Sequence, residues 1–325
     1  MIEELLNQRP QALRRDMVTM MEYGGRGHLA SAFSLVEILS VLYDEILKYQ
    51  PEDPRWKHRD RLILSKGHGC MALYALLADK GFFSKSEFLK FCKSDGILGG
   101  HPEYPKVPGV EASTGALGHG LSIGIGMALN ARYEKQGHRV IVIVGDGECN
   151  EGSVWEAAMC ASKHRLDNLT VIIDYNKMQS YASTSEVLSL EPFASKWESF
   201  GFDVREVDGH SITELAEVFN QLPFSNGKPN AVICHTVKGK GIPHIENDLS
   251  WHHKSKLPEE ELASLYSALG AEAREPHHWN VYTNLRGRTS GSSSSGPIWA
   301  SARWINSKRK FPIVSSWKGS PNRTS

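Results

Sequence analysis

Two polar residues follow consecutive apolar segments near the middle of the chain. Asp146 comes just after the run Val140–Val144, and Asn176 comes shortly after the run Leu169–Ile173. The helical pattern of Ser153–His164 separates the two runs, which predicts a β-α-β unit with a right-handed crossover. Parallel strands end at the same edge of a sheet, so the two side chains should lie roughly 5 Å apart if the strands are adjacent. Open α/β sheets bind ligands at that edge.

The types of these residues suit a metal ion and a diphosphate. A carboxylate, an amide oxygen and a nearby backbone carbonyl are a partial set of the oxygen ligands that Mg²⁺ prefers, and they leave positions for phosphate oxygens. Gly147 would let the backbone approach a diphosphate without an intervening side chain. Gly-Asp-Gly alone is equally typical of a turn. The asparagine at the end of the next strand favours the metal–diphosphate interpretation.

Histidines supply the second set of candidate groups. Imidazole exchanges protons near neutral pH, which suits it to acid–base catalysis. Most histidines in a chain with 14 of them are ordinary surface or core residues, and this interpretation is given to His58, His138, His164, His277 and His278. Four others lie beside glycine or at a strand end and stay candidates: His28, His68, His101 and His252.

The elements that must position these residues follow from hydrophobic periodicity. Before residue 60 apolar residues recur at three- and four-residue spacing. This pattern predicts two helices, one before and one after a loop at Gly24–Ser34. Short β-branched runs then alternate with amphipathic stretches. The predicted strands are Arg61–Leu64, Val140–Val144, Leu169–Ile173, Val204–Val207 and Ala231–Cys234. This alternation predicts an α/β fold, a doubly wound and mostly parallel sheet with helices on both faces.

Two further regions stand out by composition. Residues 86–120 are rich in Gly, Pro and His and are expected to be a long functional loop. The acidic helix Pro258–Leu269 is expected to end a domain of residues 1–270. Residues 271–325 are Ser-rich, lack periodicity and are interpreted as a low-complexity, disordered tail. A basic arm for an acidic partner is the alternative to an appendage or a reading-frame artefact.

Overall composition is that of a globular protein. The chain has 325 residues, of which 40% are apolar and 23% charged, and its net charge is zero. Residues 276–325 carry eight basic side chains and no acidic ones, so the remainder is acidic and a poor candidate for nucleic acid or anionic membranes. Five separate cysteines, no signal-peptide pattern and no long apolar stretch predict a cytoplasmic protein with reduced thiols.

Six ordered motifs resemble the transketolase family, in particular the amino-terminal subunit of split transketolases, over residues 5–270. They are GGRGHLASAFSLVEIL (24–39), LILSKGHG (62–69), GGHPE (99–103), ASTGALGHGLSIGIGMA (112–128), the Gly-Asp-Gly…Asn unit (145–176) and TVKGKGIPHIENDLSWHHK (236–254). The resemblance implies the thiamine-diphosphate-binding fold, with thiamine diphosphate and Mg²⁺ as cofactors.

The resemblance also implies individual roles. Asp146, Asn176 and the carbonyl of Met178 would bind Mg²⁺, and Asn176 would also contact the cofactor. His68 and Gly147 would face the diphosphate. The remaining implied cofactor-binding residues are Gly115, Ala116 and Leu117 at the aminopyrimidine, Glu151 bracing the Gly-Asp-Gly loop, and His252. His28, His101 and His252 would move protons on the sugar; His253 is the alternative to His252, and His119 is expected to be structural.

The resemblance leaves half of an active site unaccounted for. A complete transketolase has a second α/β domain, which supplies a glutamate to the aminopyrimidine and much of the sugar-phosphate site. We therefore expect a companion subunit, in a two-plus-two heterotetramer that transfers a two-carbon ketol unit from a ketose phosphate to an aldose. The alternatives are a carboligase resembling deoxyxylulose-phosphate synthase and a non-catalytic regulatory subunit. His28-Leu29-Ala30 replaces the commoner His-Pro-Gly, which leaves donor preference open.

Overall fold

The computed structural model describes residues 2–271, and it describes side chains from residue 8 onward. The predicted tail, residues 271–325, lies outside the described residues except for Ala271. The helices are α1 (Ile2–Gly24), α2 (Leu29–Phe33), α3 (Val36–Val41), α4 (Cys70–Asp79), α5 (Gly120–Tyr133), α6 (Gly152–Lys163), α7 (Thr184–Val187), α8 (Phe193–Ser199), α9 (Ile212–Phe219) and α10 (Glu259–Ala268). The strands are β1 (Arg26–Gly27), β2 (Arg61–Leu64), β3 (Val140–Gly145), β4 (Leu169–Tyr175), β5 (Asp203–Asp208), β6 (Asn230–His235) and β7 (Lys254–Ser255).

Five strands form one parallel sheet in the order β2-β3-β4-β6-β5. All five were predicted, and each observed strand agrees with its prediction to within two residues at either end. The predicted β-α-β unit is confirmed as β3, α6 and β4, since β3 and β4 are adjacent and parallel. The position of β6 between β4 and β5 is a crossover that chain order does not reveal.

Both faces of the sheet are covered. Every residue of β3 and of β4 is buried. Val140, Val142 and Val144 pack with α5, α6 and α8 in one apolar core. Alternate residues of a strand point to opposite faces, and on the other face Ser34, at the end of α2, reaches Asp174. The expected sheet with helices on both faces is therefore confirmed.

The amino-terminal segment differs from the prediction. The expected loop Gly24–Ser34 contains β1 and the short helix α2. All five residues of α2 are buried, but five residues are too few to show a helical period in the sequence. The predicted second helix is also divided, because α3 ends at Val41 and a single π-helical turn follows at Leu42–Ile46.

The two-stranded ladder has a positioning role. β1 pairs antiparallel with β7, so that Arg26 lies opposite Ser255 and Gly27 opposite Lys254. This pairing brings the segment after β1 beside the segment before β7. Separately, none of the helices in residues 2–271 combines the length and apolar character that a membrane span requires.

Candidate active site at the carboxyl edge of the sheet

Asp146 and Asn176 lie at neighbouring strand ends, as predicted. Gly145, the last residue of β3, is paired with Asp174 of β4, and the N–H of Asp146 donates to the carbonyl of Asp174 at 3.2 Å. Asp146 is only 3% exposed and Asn176 only 7%. The sheet register therefore buries both side chains at one edge.

Backbone N–H groups orient the two side chains. Gly147 donates to Asp146 Oδ1 at 2.7 Å, and Lys177 donates to Asp146 Oδ2. Met178, the next residue, donates to Asn176 Oδ1 at 3.1 Å. Burial, together with the negative charge of Asp174, raises the pKa of Asp146 to about 7. A carboxylate in such a place is stabilised by a nearby cation.

The backbone carbonyl of Met178 takes no part in the backbone hydrogen bonds of the adjoining turn. Met178 faces Ser183 across an isolated antiparallel bridge. The hydrogen bonds of that bridge are made by the flanking residues, Gln179 to Ala182 and Thr184 to Lys177. Asp146, Asn176 and Met178 can thus offer a carboxylate, an amide and a carbonyl oxygen to one cation.

A cavity of about 240 Å³ lies against these groups. Of the twelve predicted site residues, all except Ala116 and Glu151 line it. Contributions come from the ends of β2, β3 and β4 and from the long loop before α5. The fold therefore gathers residues that are more than 200 positions apart in the sequence.

Two glycines form part of the cavity wall with backbone atoms alone. Gly115 has a φ of +138°, and a Cβ added there would lie 2.9 Å from Cδ2 of His101. A Cβ on Gly147 would lie 2.9 Å from Cγ of Gln179. Both positions thus leave backbone exposed to the cavity, which suits close contact with a ligand.

Four histidines converge on the cavity. The ring centroid of His28 lies 5.4 Å from that of His68, 5.4 Å from that of His252 and 6.2 Å from that of His101. Burial, with the charges of neighbouring histidines, lowers the pKa of His28 to about 3. Burial also lowers the pKa of His68 and of His101, with Lys66 adding to the first shift and Arg26 to the second.

His252 lines the cavity, whereas His253 does not. Lys238 Nζ lies 2.8 Å from His252 Nδ1, and Ser180 Oγ lies 3.1 Å from His252 Nε2. A lysine ammonium can only donate, so the neutral imidazole carries its proton on Nε2. Burial and the charge of Lys238 lower the pKa of His252 to about 4. His253 faces a neighbouring chamber of about 530 Å³ and lies 4.8 Å from the His28 ring.

Comparison with known proteins decides the family. The family model for the transketolase thiamine-diphosphate-binding domain matches residues 6–313. The chain belongs to the transketolase family. It is 40% identical over 250 residues to an apulose-4-phosphate transketolase subunit of Phocaeicola vulgatus, a match that covers 77% of this chain and 89% of that protein. It is 37% identical over 266 residues to the transketolase of Homo sapiens, covering 81% of this chain and 42% of that one.

A solved transketolase shares the fold of this family member. The structure from Campylobacter jejuni superposes with a TM-score of 0.79 at 28% identity, covering 87% of this chain and 45% of the other. The chain spans less than half of such full-length transketolases but nearly all of the subunit from Phocaeicola vulgatus. The resemblance to an amino-terminal transketolase subunit is therefore confirmed.

The donor set of this transketolase-family chain fits Mg²⁺ held together with a diphosphate. Within residues 2–271 no group of three His, Cys, Asp or Glu side chains is arranged to hold a metal ion. A cation at the strand ends would therefore depend on Asp146, on neutral oxygens and on oxygens supplied by its ligand. Mg²⁺ is commonly bound in this way, by one or two carboxylates together with phosphate oxygens.

Sequence reasoning missed two buried lysines of the site. Lys66 and Lys238 line the cavity and are only 2% and 1% exposed. Lys238 also donates to the carbonyl of Gln179 at 3.2 Å, while burial and the charge of Lys66 lower the pKa of Lys238 to about 8. Both lysines follow predicted strands beside glycine, which is the signal that could have identified them as residues of the site.

The bracing role that the resemblance implies for Glu151 stays a prediction. Glu151 is exposed, whereas Glu148 is buried and accepts hydrogen bonds from Ser65 Oγ, from Gly118 N at 2.9 Å and from Gly145 N at 3.1 Å. Glu148 therefore ties the Gly-Asp-Gly loop to the loop before α5, because it reaches inward from the single 3₁₀ turn Gly147–Asn150. Burial raises the pKa of Glu148.

Two other predicted positions lie at the margin. Ala116 is exposed between the lining residues Gly115 and Leu117. His119 is exposed outside the cavity, with its Nδ1 3.0 Å from the carbonyl of Leu117. That position suits the structural interpretation of His119.

Proposed function

We propose that this chain is the thiamine-diphosphate-binding subunit of a transketolase-type enzyme. In this proposal the enzyme transfers a two-carbon ketol unit from a ketose phosphate to an aldose. The observation that carries it is the convergence of His28, His101 and His252 on a cavity that also contains Asp146 and Asn176. Relatives of similar length support it, since they are named as subunits of an apulose-4-phosphate transketolase and of a 6-deoxy-6-sulfo-D-fructose transketolase.

The proposed cofactor site has a cation and an anion component. Asp146, Asn176 and the carbonyl of Met178 would hold Mg²⁺, and Lys238, His68 and His252 would bind the diphosphate. Gly115 and Leu117 would receive the aminopyrimidine ring, with Ala116 between them. When bound, thiamine diphosphate supplies the electron sink for cleavage of a carbon–carbon bond next to a carbonyl.

The histidines would manage the protons. Breaking a ketose carbon–carbon bond requires removal of a proton from a hydroxyl and donation to a developing alkoxide. Burial lowers the pKa of His28 and of His252 enough to hold both neutral at physiological pH, so that His28 can accept a proton and His252 can donate one from Nε2. The hydrogen bond from Lys238 keeps the proton of His252 on Nε2, the nitrogen that lies near Ser180.

The neighbouring chamber would receive the sugar. Its lining includes His28 and His101, so it is continuous with the proposed proton-transfer groups. Arg26, Lys93 and Lys106 also line it. Lys106 lies 3.6 Å from the carboxylate of Glu103, while Arg26 and Lys93 are exposed. A chamber with this charge suits a phosphorylated substrate.

The proposed assembly needs a companion subunit. Full-length transketolases are more than twice as long as the matched region, and relatives of similar length are named as subunits. We infer that residues 1–270 form the diphosphate-binding half and that a second chain supplies the rest, in a cytoplasmic two-plus-two heterotetramer. The glutamate that family resemblance requires at the aminopyrimidine would come from that chain.

Cofactor binding tests the proposal. Titration of the chain with thiamine diphosphate, with and without Mg²⁺, should show binding that depends on Mg²⁺, and the variant Asp146→Ala should lose it because a cation ligand is removed. Asp208→Ala is the matched control, since Asp208 ends a strand of the same sheet but is exposed outside the cavity. Absence of Mg²⁺-dependent binding, both alone and with the companion, would contradict the proposal.

Product analysis separates the enzyme classes. With the companion subunit present, a pentulose phosphate and an aldose acceptor should give ketol-transfer products. Pyruvate as the productive donor would indicate a synthase-type carboligation instead. Cofactor binding without turnover of either donor would favour a regulatory subunit.

A further inference from the structure

Asp174 is a fully buried carboxylate directly behind the candidate metal site. It is the penultimate residue of β4, is 0% exposed, and does not line the cavity. Four side chains from different parts of the chain donate to it. They are Ser34 at 2.7 Å, Lys66, Asn176 at 3.5 Å and Thr236. Because these donors surround its oxygens, Asp174 cannot bind a cation in the cavity directly. It can affect such a cation only through a neighbouring residue.

That neighbour is Asn176. The amide nitrogen of Asn176 donates to Oδ2 of Asp174, and its amide oxygen accepts from the N–H of Met178 at 3.1 Å. Rotation of the amide by 180° would place its oxygen against the carboxylate and its NH₂ against the Met178 N–H. Both contacts therefore select the same orientation of the amide, although its two flipped orientations have nearly the same shape.

The selected orientation places two oxygens side by side. Lys177 and Met178 are consecutive, and their N–H groups donate to Asp146 Oδ2 and to Asn176 Oδ1. The reversed amide would present an NH₂ group, which cannot bind a cation. Orientation of Asn176 therefore decides whether the strand ends offer two oxygen ligands or one.

Lys66 keeps the carboxylate in its place. The ammonium group of Lys66 contacts Oδ2 of Asp174, the oxygen that also receives Ser34 and Asn176, and it donates to the carbonyl of Ser31 at 3.2 Å. Thr236 donates to the other oxygen, Oδ1. The ion pair is thus connected to Asn176 through a single atom, Oδ2.

We propose that the Lys66–Asp174 ion pair is the positioning unit of the metal site, which fixes the amide of Asn176 with its oxygen available to Mg²⁺. The inference rests on the proposed function only in treating Asp146 and Asn176 as cation ligands. Asp174 and Lys66 are positioning residues, and neither touches the metal. Groups that orient metal ligands commonly change metal affinity when they are removed.

An exchange of two residues tests the orientation directly. Asp174→Asn removes the carboxylate that receives the amide, so the apparent Mg²⁺ affinity, measured by calorimetry at a fixed concentration of thiamine diphosphate, should fall by roughly 10- to 100-fold. The double variant Asp174→Asn/Asn176→Asp conserves the total charge and puts at position 176 a carboxylate, whose two oxygens need no orientation. This exchange should restore the affinity to within about threefold of wild type.

Thr236→Val is the matched control. It removes a hydrogen bond from the same carboxylate, but from Oδ1 rather than Oδ2, and should leave Mg²⁺ affinity within about twofold of wild type. Normal affinity in Asp174→Asn, or failure of the exchange to restore it in a folded protein, would overturn the proposal. Wild-type protein without Mg²⁺-dependent binding would instead remove the proposed function.

A metal-free measurement covers the case in which Asp174→Asn does not fold. In the wild-type chain without Mg²⁺, nuclear magnetic resonance should show one set of side-chain amide signals for Asn176, with slow hydrogen exchange. Lys66→Met should broaden these signals or speed their exchange while the signals of exposed Asn130 stay unchanged. Rapidly exchanging Asn176 signals in the wild-type chain would contradict a fixed amide.

Discussion

Burial decides the protonation of the histidines in the cavity. His28 and His252 have pKa values of about 3 and 4, compared with 6.5 for an ordinary histidine. At physiological pH each imidazole is neutral. The same surroundings make the folded chain less stable at low pH. Protonation would place a charge in a buried position, among several other histidines and Lys238.

The pH dependence of the free energy of unfolding should show this effect. Below pH 6.5 the unfolded chain binds protons at His28 and His252 that the folded chain does not, so the free energy of unfolding falls as the pH decreases towards 4. The effect is at most about 1.4 kcal/mol per pH unit for each histidine, and smaller because both imidazoles are partly exposed. Thermal unfolding measured from pH 7 to pH 4 should be less pH-dependent in His28→Gln/His252→Gln than in wild type.

The control is His164→Gln, which changes an exposed histidine beyond the end of α6. Its unfolding profile should follow that of the wild type. Parallel profiles for the wild type and the double variant would contradict neutral, buried imidazoles.

The individual site residues could be predicted only in part. Asp146 and Asn176 could be identified because each follows an unmistakable apolar strand. That Lys238 belongs to the same site could not be predicted, since this depends on β6 lying next to β4, whereas chain order alone would place β5 there. Glu148 and Glu151 are three residues apart, and only the course of a short 3₁₀ turn shows which of them points inward.

Helix α5 shows how tightly an element is fitted to the sheet. Gly124 faces β3, and a Cβ added there would lie 2.4 Å from Cγ2 of Val142. Gly126, two residues further on, is exposed, and an added Cβ would meet nothing within 4 Å. On the same helix, therefore, an added methyl group would clash at Gly124 but would fit at Gly126.

Alanine substitutions should separate them. Gly124→Ala should lower the free energy of unfolding by about 1–3 kcal/mol, because the methyl group overpacks the contact with β3. Gly126→Ala should raise it by about 0.5–1 kcal/mol, because alanine favours the helix. Denaturant unfolding of the isolated chain measures both, and equal effects would contradict the described packing of α5.

Strands could be predicted better than helices for a physical reason. β3 and β4 are buried on both faces, so their sequences are unbroken runs of β-branched residues. Helix α2 and the π-helical turn at Leu42–Ile46 are each five residues long and are shaped by tertiary packing. Such short segments leave no periodic pattern in the sequence.

The whole chain accounts for one side of the proposed site. The proposed proton-transfer histidines and diphosphate-binding groups lie within residues 28–252, whereas the glutamate that the family resemblance implies at the aminopyrimidine would come from a second domain. Full-length transketolases carry both halves in a single polypeptide, of which the matched region makes up 42% in the human enzyme. Division of the proposed site between two chains would make activity depend on their ratio.

Turnover should therefore saturate with the companion subunit. The chain alone should show no detectable ketol transfer from a pentulose phosphate, and activity should rise with added companion and level off at a one-to-one ratio. Asp146→Ala mixed with the companion in the same way is the inactive control. Full turnover by the chain alone would contradict a shared active site.

The cavity is built from segments scattered between His28 and His252. A chain that grows from its amino terminus on the ribosome has therefore made the first strands of the sheet long before the last wall of this cavity exists. A nascent fragment that stops short of His252 lacks part of the wall of the proposed cofactor site. This chain's part of the proposed cofactor site is therefore complete only after nearly all of the described residues have been synthesised.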